Sequence, residues 1–169
     1  MARSALMNVM VQAASKAGRS LSRDLNEVEN LQVSIKGPGD FVSNADTTAE
    51  TILRKELEKA RPGYSFLMEE GGSIDRKSDH RWIIDPLDGT TNFLRSIPHF
   101  AISIACVKNG RVEHAVVYDP IRREEFTASR GRGASVNGKR IRVSERHTFN
   151  GALIGTGVPY RSSQQPYVR

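Results

Sequence analysis

The sequence predicts an α+β fold, a layered sandwich in which two N-terminal helices pack on a largely antiparallel sheet. Three observations carry the prediction. Two stretches with helical apolar periodicity come first, a run of short β-type segments follows, and Asn-Gly pairs punctuate that run.

Between Ser4 and Val28, Leu6, Val9, Met10, Ala13, Ala17, Leu21, Leu25 and Val28 recur every three or four residues, forming one apolar helical face. Lys36-Gly-Pro-Gly-Asp40 reads as a loop, because Gly-Pro-Gly interrupts regular structure. A second helix is expected from Asp46 to Ala60, with Ala49, Ile52, Leu53, Glu56 and Leu57 inward and Arg61-Pro62-Gly63 ending it. Tyr64–Met68 and Arg81–Ile84 are β-type and run straight into acidic residues. Phe100–Lys108 and Arg111–Tyr118 flank Asn109-Gly110, a two-residue hairpin signal. Glu125–Ser129, Ala134–Val136 and Arg140–Val143 extend the sheet, with Asn137-Gly138 as another tight turn. Ala152–Gly157 begins a further apolar strand, and nothing after it reads as a closing helix. The expectation is one α+β portion over 1–169 in a truncated chain.

Composition narrows the class. Hydrophobic residues make up 38% and charged residues 26%, which suits a packed core and argues against global disorder. No apolar run is long enough to cross a bilayer, and the N-terminus lacks a signal-peptide core. The single cysteine, Cys106, sits among apolar residues, and the whole reads as cytoplasmic. The net charge of +6 is concentrated late, at Arg122, Arg123, Arg130, Arg132, Lys139, Arg140, Arg142 and Arg146. A solvated strand face explains it first; an RNA-binding face or a contact with an acidic partner remain open. No aromatic residues interleave there as base stacking would require. His80, His99, His114 and His147 are scattered without metal-ligand spacing, although His99 lies near the exit of the acidic loop described next.

Chemistry concentrates in Trp82-Ile-Ile-Asp85-Pro-Leu-Asp88-Gly-Thr90-Thr-Asn-Phe93. An apolar strand ends at Asp85, where Pro86 is expected to stop it and turn the backbone. Asp88, three residues on, brings a second carboxylate toward the same spot. Two neighbouring carboxylates repel, and a divalent cation relieves the repulsion. Gly89 leaves room for a phosphate oxygen, and the amides of Gly89 and Thr90 would open a helix. An all-oxygen ligand set suits Mg²⁺ or Mn²⁺ rather than zinc. Glu69-Glu70 follows its own β-type segment, so adjacent strands ending at one rim would bring Glu69 to Asp85. Asp46 stands at the start of the second helix, where a plain capping role also suits it.

These residues resemble the inositol monophosphatase family, within the lithium-sensitive, magnesium-dependent phosphatases. Trp82–Phe93 is similar to its first signature, while Lys36, Asp46, Met68-Glu69-Glu70, Gly131–Ala134 and Asn137-Gly138 fall in matching order. The resemblance implies that Glu69, Asp85 and the carbonyl of Leu87 hold one magnesium, and that Asp85 bridges to a second ion ligated by Asp88. It implies phosphate contacts from Gly89, Thr90 and Lys36, in a region that includes Glu69, Leu87 and Asp88. It places catalytic roles on Glu69, Thr90 and Asp46. It implies hydrolysis of a small phosphorylated polyol, first inositol monophosphate; histidinol phosphate, fructose 1,6-bisphosphate or a 3′-phosphonucleotide are the alternatives. It also implies a homodimer and, in some bacterial members, association with the transcription machinery, for which the basic stretch 122–146 is the candidate surface. Two departures stand out. Met68 replaces a common glycine, and the family's second signature, Trp-Asp-x-Ala-Ala-Gly, is absent. The C-terminal α/β portion of the family fold is therefore expected to be missing, leaving half an active site and a chain inactive by itself.

Overall fold

The computed structural model describes residues 3–30, 33–37 and 40–155, and side chains outside 28–42. Ser4 caps the first helix, its hydroxyl accepting from the Met7 amide at 3.1 Å. Helix α1, Ala5–Asp24, buries Met10, Ala13, Ala17 and Leu21 as the periodicity requires. Its expected last turn tightens into a 3₁₀ segment, Leu25–Asn30, interrupted at Glu27. Gly18 marks where α1 crosses the sheet: a Cβ there would stand 2.6 Å from the Tyr118 ring.

The loop expected over 36–40 is corrected. Strands β1, Val33–Gly37, and β2, Asp40–Ser43, pair antiparallel with an irregularity between Ile35 and Gly37. The glycine is accommodated beside that irregularity in a short two-stranded sheet, where a missing side chain matters little. Pro38 and Gly39 lie outside the described residues. Helix α2, Asn44–Ala60, starts two residues early because Ser43 caps it in a capping box with Asp46.

The larger sheet contains β3 Ser65–Met68, β4 Gly72–Ile74, β5 His80–Asp88, β6 Ala101–Lys108, β7 Arg111–Asp119, β8 Glu124–Ser129, β9 Gly133–Val136 and β10 Lys139–Ile141. Its order is β10-β9-β8-β7-β6-β5-β3-β4, antiparallel except for the parallel pair β3–β5. Both Asn-Gly turns carry two positive φ angles, 48° and 74° at Asn109-Gly110, 48° and 78° at Asn137-Gly138. This is the twist that two-residue hairpins need. Two expectations fail here. Pro86 does not end β5: the strand runs to Asp88 through a bulge, with Asp85 opposite Ser103 and Asp88 opposite Ala101. The bulge takes Pro86, which has no amide to give the ladder, out of register. Ala152–Gly155 forms no strand and Leu153 is fully exposed; Thr156 and Gly157 lie outside the described residues.

Helices α1 and α2 cover one face of this sheet. Phe66, Met68, Trp82, Ile84, Ile102, Ile104, Cys106 and Val116 point inward and are buried against them. Alternate residues point to the other face, where Leu67, Ile83, Val117 and Phe126 are each more than a third exposed. The observed α+β layering is the one the sequence predicts. Among the described residues, no helix is long and apolar enough to cross a membrane.

Candidate active site

The acidic residues collect at one rim because of the single parallel pairing. Strands β3 and β5 run side by side in the same direction, with Met68 opposite Ile84. The next residues, Glu69 just past the end of β3 and Asp85 still within β5, therefore lie side by side at one rim, and the Glu69 amide donates to the Ile84 carbonyl at 3.2 Å. The Glu69 and Asp85 carboxyl groups lie within hydrogen-bonding reach of each other. Burial pushes Asp85 above the ordinary carboxylate range. The hydrogen bond from Glu69 and that from the Leu87 amide, at 3.1 Å, pull it down, while the charges of Asp88 and Asp46 push it up.

Helix α3, Thr90–Leu94, follows the bulge, with Gly89 as its cap at φ 97° and no side chain capping its first amides. Thr90 Oγ1 lies 3.0 Å from the Leu87 carbonyl and 3.2 Å from Asp46 Oδ1. Both partners are acceptors, so the single hydroxyl proton is committed to them and the oxygen's lone pairs remain available to a donor. Asp46 is fully buried, and its Oδ2 also takes the Ser43 amide at 2.9 Å and the Ser43 hydroxyl at 2.5 Å. One carboxylate thus caps α2 and fixes Thr90. Glu69 and Asp88 are exposed, Asp85 and Thr90 half-buried, and Leu87 buried. Lys36 lies on β1, and its side chain is outside the described residues.

Sequence reasoning missed Glu50. Buried on α2, it accepts the Glu70 amide through Oε2 at 2.8 Å and so holds the turn bearing Glu69. The signal was its position four residues after Asp46, on the same helical face. It also missed Asp119, which accepts from the amides of Ile121 and Arg122 and from the Arg122 guanidinium at 2.8 Å. The Arg122 guanidinium reaches His99 Nδ1 at 3.1 Å, so His99 lines, with Asp88 and Gly89, a cavity of about 550 Å³.

The donors fit a hard divalent cation. They are carboxylate and carbonyl oxygens, and the Glu69 and Asp85 carboxyl groups already face each other. Glu69, Asp85, Asp88 and the Leu87 carbonyl are the residues that could hold it. Among the described residues, no three His, Cys, Asp or Glu side chains are gathered at metal-binding span. Glu69 and Asp85 meet as one pair, and Asp88 is exposed.

Comparison with known proteins supplies the relationship. The model of the inositol monophosphatase family matches residues 2–168. The chain is 60% identical over 161 residues to an inositol-1-monophosphatase of Mesorhizobium japonicum, covering 95% of this chain and 60% of that protein. It is 49% identical over 162 residues to the Nus factor SuhB of Pseudomonas aeruginosa, covering 94% and 60%. The crystal structure of the suhB protein from Bartonella henselae superposes with a TM-score of 0.83 at 61% identity, over 85% of this chain and 56% of that one. Inositol monophosphatase from Anabaena superposes with a TM-score of 0.70 at 31% identity, over 83% and 50%. The chain spans 60% of the length of the curated relatives it matches. By its sequence along nearly the whole length and by its fold, it belongs to the inositol monophosphatase family.

Proposed function

We propose that these residues are the metal- and phosphate-binding half of a magnesium-dependent phosphatase for small phosphate monoesters, first of all inositol monophosphate. The parallel pairing of β3 and β5 that puts Glu69 beside Asp85, next to the glycine-opened start of α3, carries the reading. Glu69, Asp85, Asp88 and the Leu87 carbonyl would hold Mg²⁺, which supplies positive charge against the phosphate and makes a water acidic when bound. Phosphoryl transfer asks for positioning and charge more than for covalent chemistry, which fits a site without a based nucleophile.

In this reading, the amides of Gly89 and Thr90 donate to phosphate oxygens. The lone pairs of Thr90 Oγ1 accept from the attacking water and aim it at phosphorus, while Glu69 takes its proton. Asp46 holds Thr90 in the rotamer that does this. Lys36 would add positive charge near the phosphate. The remaining substrate contacts, dimerisation and full activity belong to the whole protein.

Two experiments test the reading. Titration calorimetry of the 169-residue chain with Mg²⁺ should give saturable binding that Asp85→Asn and Glu69→Gln each weaken at least about tenfold. Binding unaffected by both overturns the metal site. Joined to the remaining segment of the Mesorhizobium japonicum relative, the chain should release phosphate from inositol 1-phosphate with Mg²⁺, and Thr90→Val should slow turnover by about 10². Activity on another of the four substrates and none on this one would correct the substrate.

A second reading has its own support, since several relatives at 43–49% identity are named Nus factor SuhB. In that reading the exposed arginines of 122–146 contact transcription machinery. Binding to polymerase that survives Asp85→Asn and is lost when Arg130, Arg132 and Arg140 are neutralised would favour it.

A further inference from the structure

The opposite edge of the sheet holds a small cationic cavity that the phosphatase chemistry does not use. It measures about 170 Å³ and lies where α1 begins, against β8, β9 and β10. Arg3, Arg132 and Arg140 line it, and no acidic residue does. From β5 to β9 is four strand spacings, so it stands roughly 20 Å from the acidic rim.

Three features make it more than a solvated arginine patch. Register places Arg140 opposite Ser135, and Ser135 opposite Thr127, so the three side chains share the helix-covered face. The Thr127 and Ser135 hydroxyls are 2.9 Å apart; one proton joins them and the other is left to donate outward. The charge is also unbalanced. Arg3 is ion-paired with Glu125, Nη2 to Oε1 at 2.5 Å, so the excess lies with the other two arginines. Among the described residues, neither Arg132 nor Arg140 has an ion-pair partner, although Arg130 beside them pairs with Glu113 at 3.1 Å. Glycine keeps the cavity open: Gly133 lies beneath the Arg140 guanidinium, 3.5 Å from where a Cβ would stand.

We propose that this cavity is a second anion site that takes a phosphate group, as inorganic phosphate or as the head of a small phosphomonoester. The volume sets the limit, being well under the roughly 300 Å³ at which drug-sized sites begin, so the head enters and any remainder stays outside. Arg132 and Arg140 supply two guanidinium forks, and the hydroxyl pair supplies a neutral donor. Ser4 satisfies one amide of the first turn of α1, which carries no acidic residue, so that end adds to the field without being its main source. A bound phosphate would tie the start of α1 to the β9–β10 hairpin.

Calorimetric titration of the 169-residue chain in EDTA tests the assignment, since removing divalent ions silences the acidic rim. Inorganic phosphate, glycerol 3-phosphate and a single-stranded RNA oligonucleotide are compared at fixed salt. The expected result is one saturable phosphate site, unchanged in Asp85→Asn and weakened about tenfold or more in Arg140→Gln and in Arg132→Gln. Both positions are exposed, and unchanged urea midpoints would show that the variants remain folded. Binding of glycerol 3-phosphate alone, with the same arginine dependence, identifies the phosphomonoester as the ligand. No saturable binding, binding indifferent to both arginines, or binding of RNA without either small anion overturns the proposal.

Discussion

Replacing Gly89 with alanine should cost stability well beyond an ordinary surface change. Gly89 sits at φ 97°, where an L side chain is strained by roughly 1–2 kcal/mol. Its added Cβ would stand 3.1 Å from the His99 carbonyl oxygen and 3.3 Å from Phe100 Cα and Cβ. Those atoms are poorly placed to yield. Asn92 Nδ2 holds the His99 carbonyl at 2.8 Å, and Phe100 packs edge-on against Phe93 with ring centroids 5.1 Å apart. Overpacking of this kind adds about 1–3 kcal/mol, offset by about 0.4–1 kcal/mol from the stiffer unfolded chain. The net expectation is a loss of about 3 kcal/mol by urea denaturation, or roughly 6–12 °C in Tm. Gly72 is the control: its φ is 67°, but an added Cβ meets nothing within 4 Å. Gly72→Ala should lose only the strain, so the difference between the two variants isolates the crowding. If they agree within about 0.5 kcal/mol, the crowding around Gly89 has no energetic weight and the argument fails.

Asp85 has a raised pKa, so its contribution to stability is whole below pH 3.8 and lost as pH rises. In EDTA near neutral pH, Asp85→Asn should therefore melt above the parent, and magnesium should raise the parent and not the variant; a variant that melts lower in EDTA contradicts this. Glu50→Ala should lose about 1–3 kcal/mol and weaken magnesium binding by freeing the Glu69 turn, while Glu50→Gln, which keeps an acceptor for the Glu70 amide, restores most of both. Equal deficits in the two variants would assign Glu50 a different role. Burial, then the charge of Glu113, pushes the Cys106 thiol up to about 11. The unfolded thiol ionises near 9.0, so the parent should lose stability relative to Cys106→Ala between that pH and about 11, and a thiol reagent should label Cys106 only after urea unfolds the chain.

Local signals carried much of the fold. The stripe of α1, the Asn-Gly turns and the two strands ending in acids each depend on a few neighbouring residues, and the chain follows them. The misreadings fall where the outcome depends on distant partners. Gly-Pro-Gly is punctuation by itself, yet β1 and β2 pair around it. Pro86 halts a lone strand, but a sheet already paired on both sides of β5 absorbs it as a bulge. At the candidate site, Glu69 and Asp85 were legible as neighbours once their strands were taken as adjacent. Glu50 was not, because its worth comes from an amide twenty residues away.

Strand β5 also determines where the chain can change length. Side-chain parity along it sends Trp82 and Ile84 under the helices and Ile83 and Asp85 the other way. One extra residue between Arg81 and Trp82 would turn Trp82 into water, carry Ile83 inward and rotate the acidic rim away from Glu69 in one step. The same addition in the stretch between Asp75 and Asp79, outside any strand, leaves that parity untouched. Insertions a few residues apart should thus range from disabling to silent, with no ligand or catalytic group altered in either.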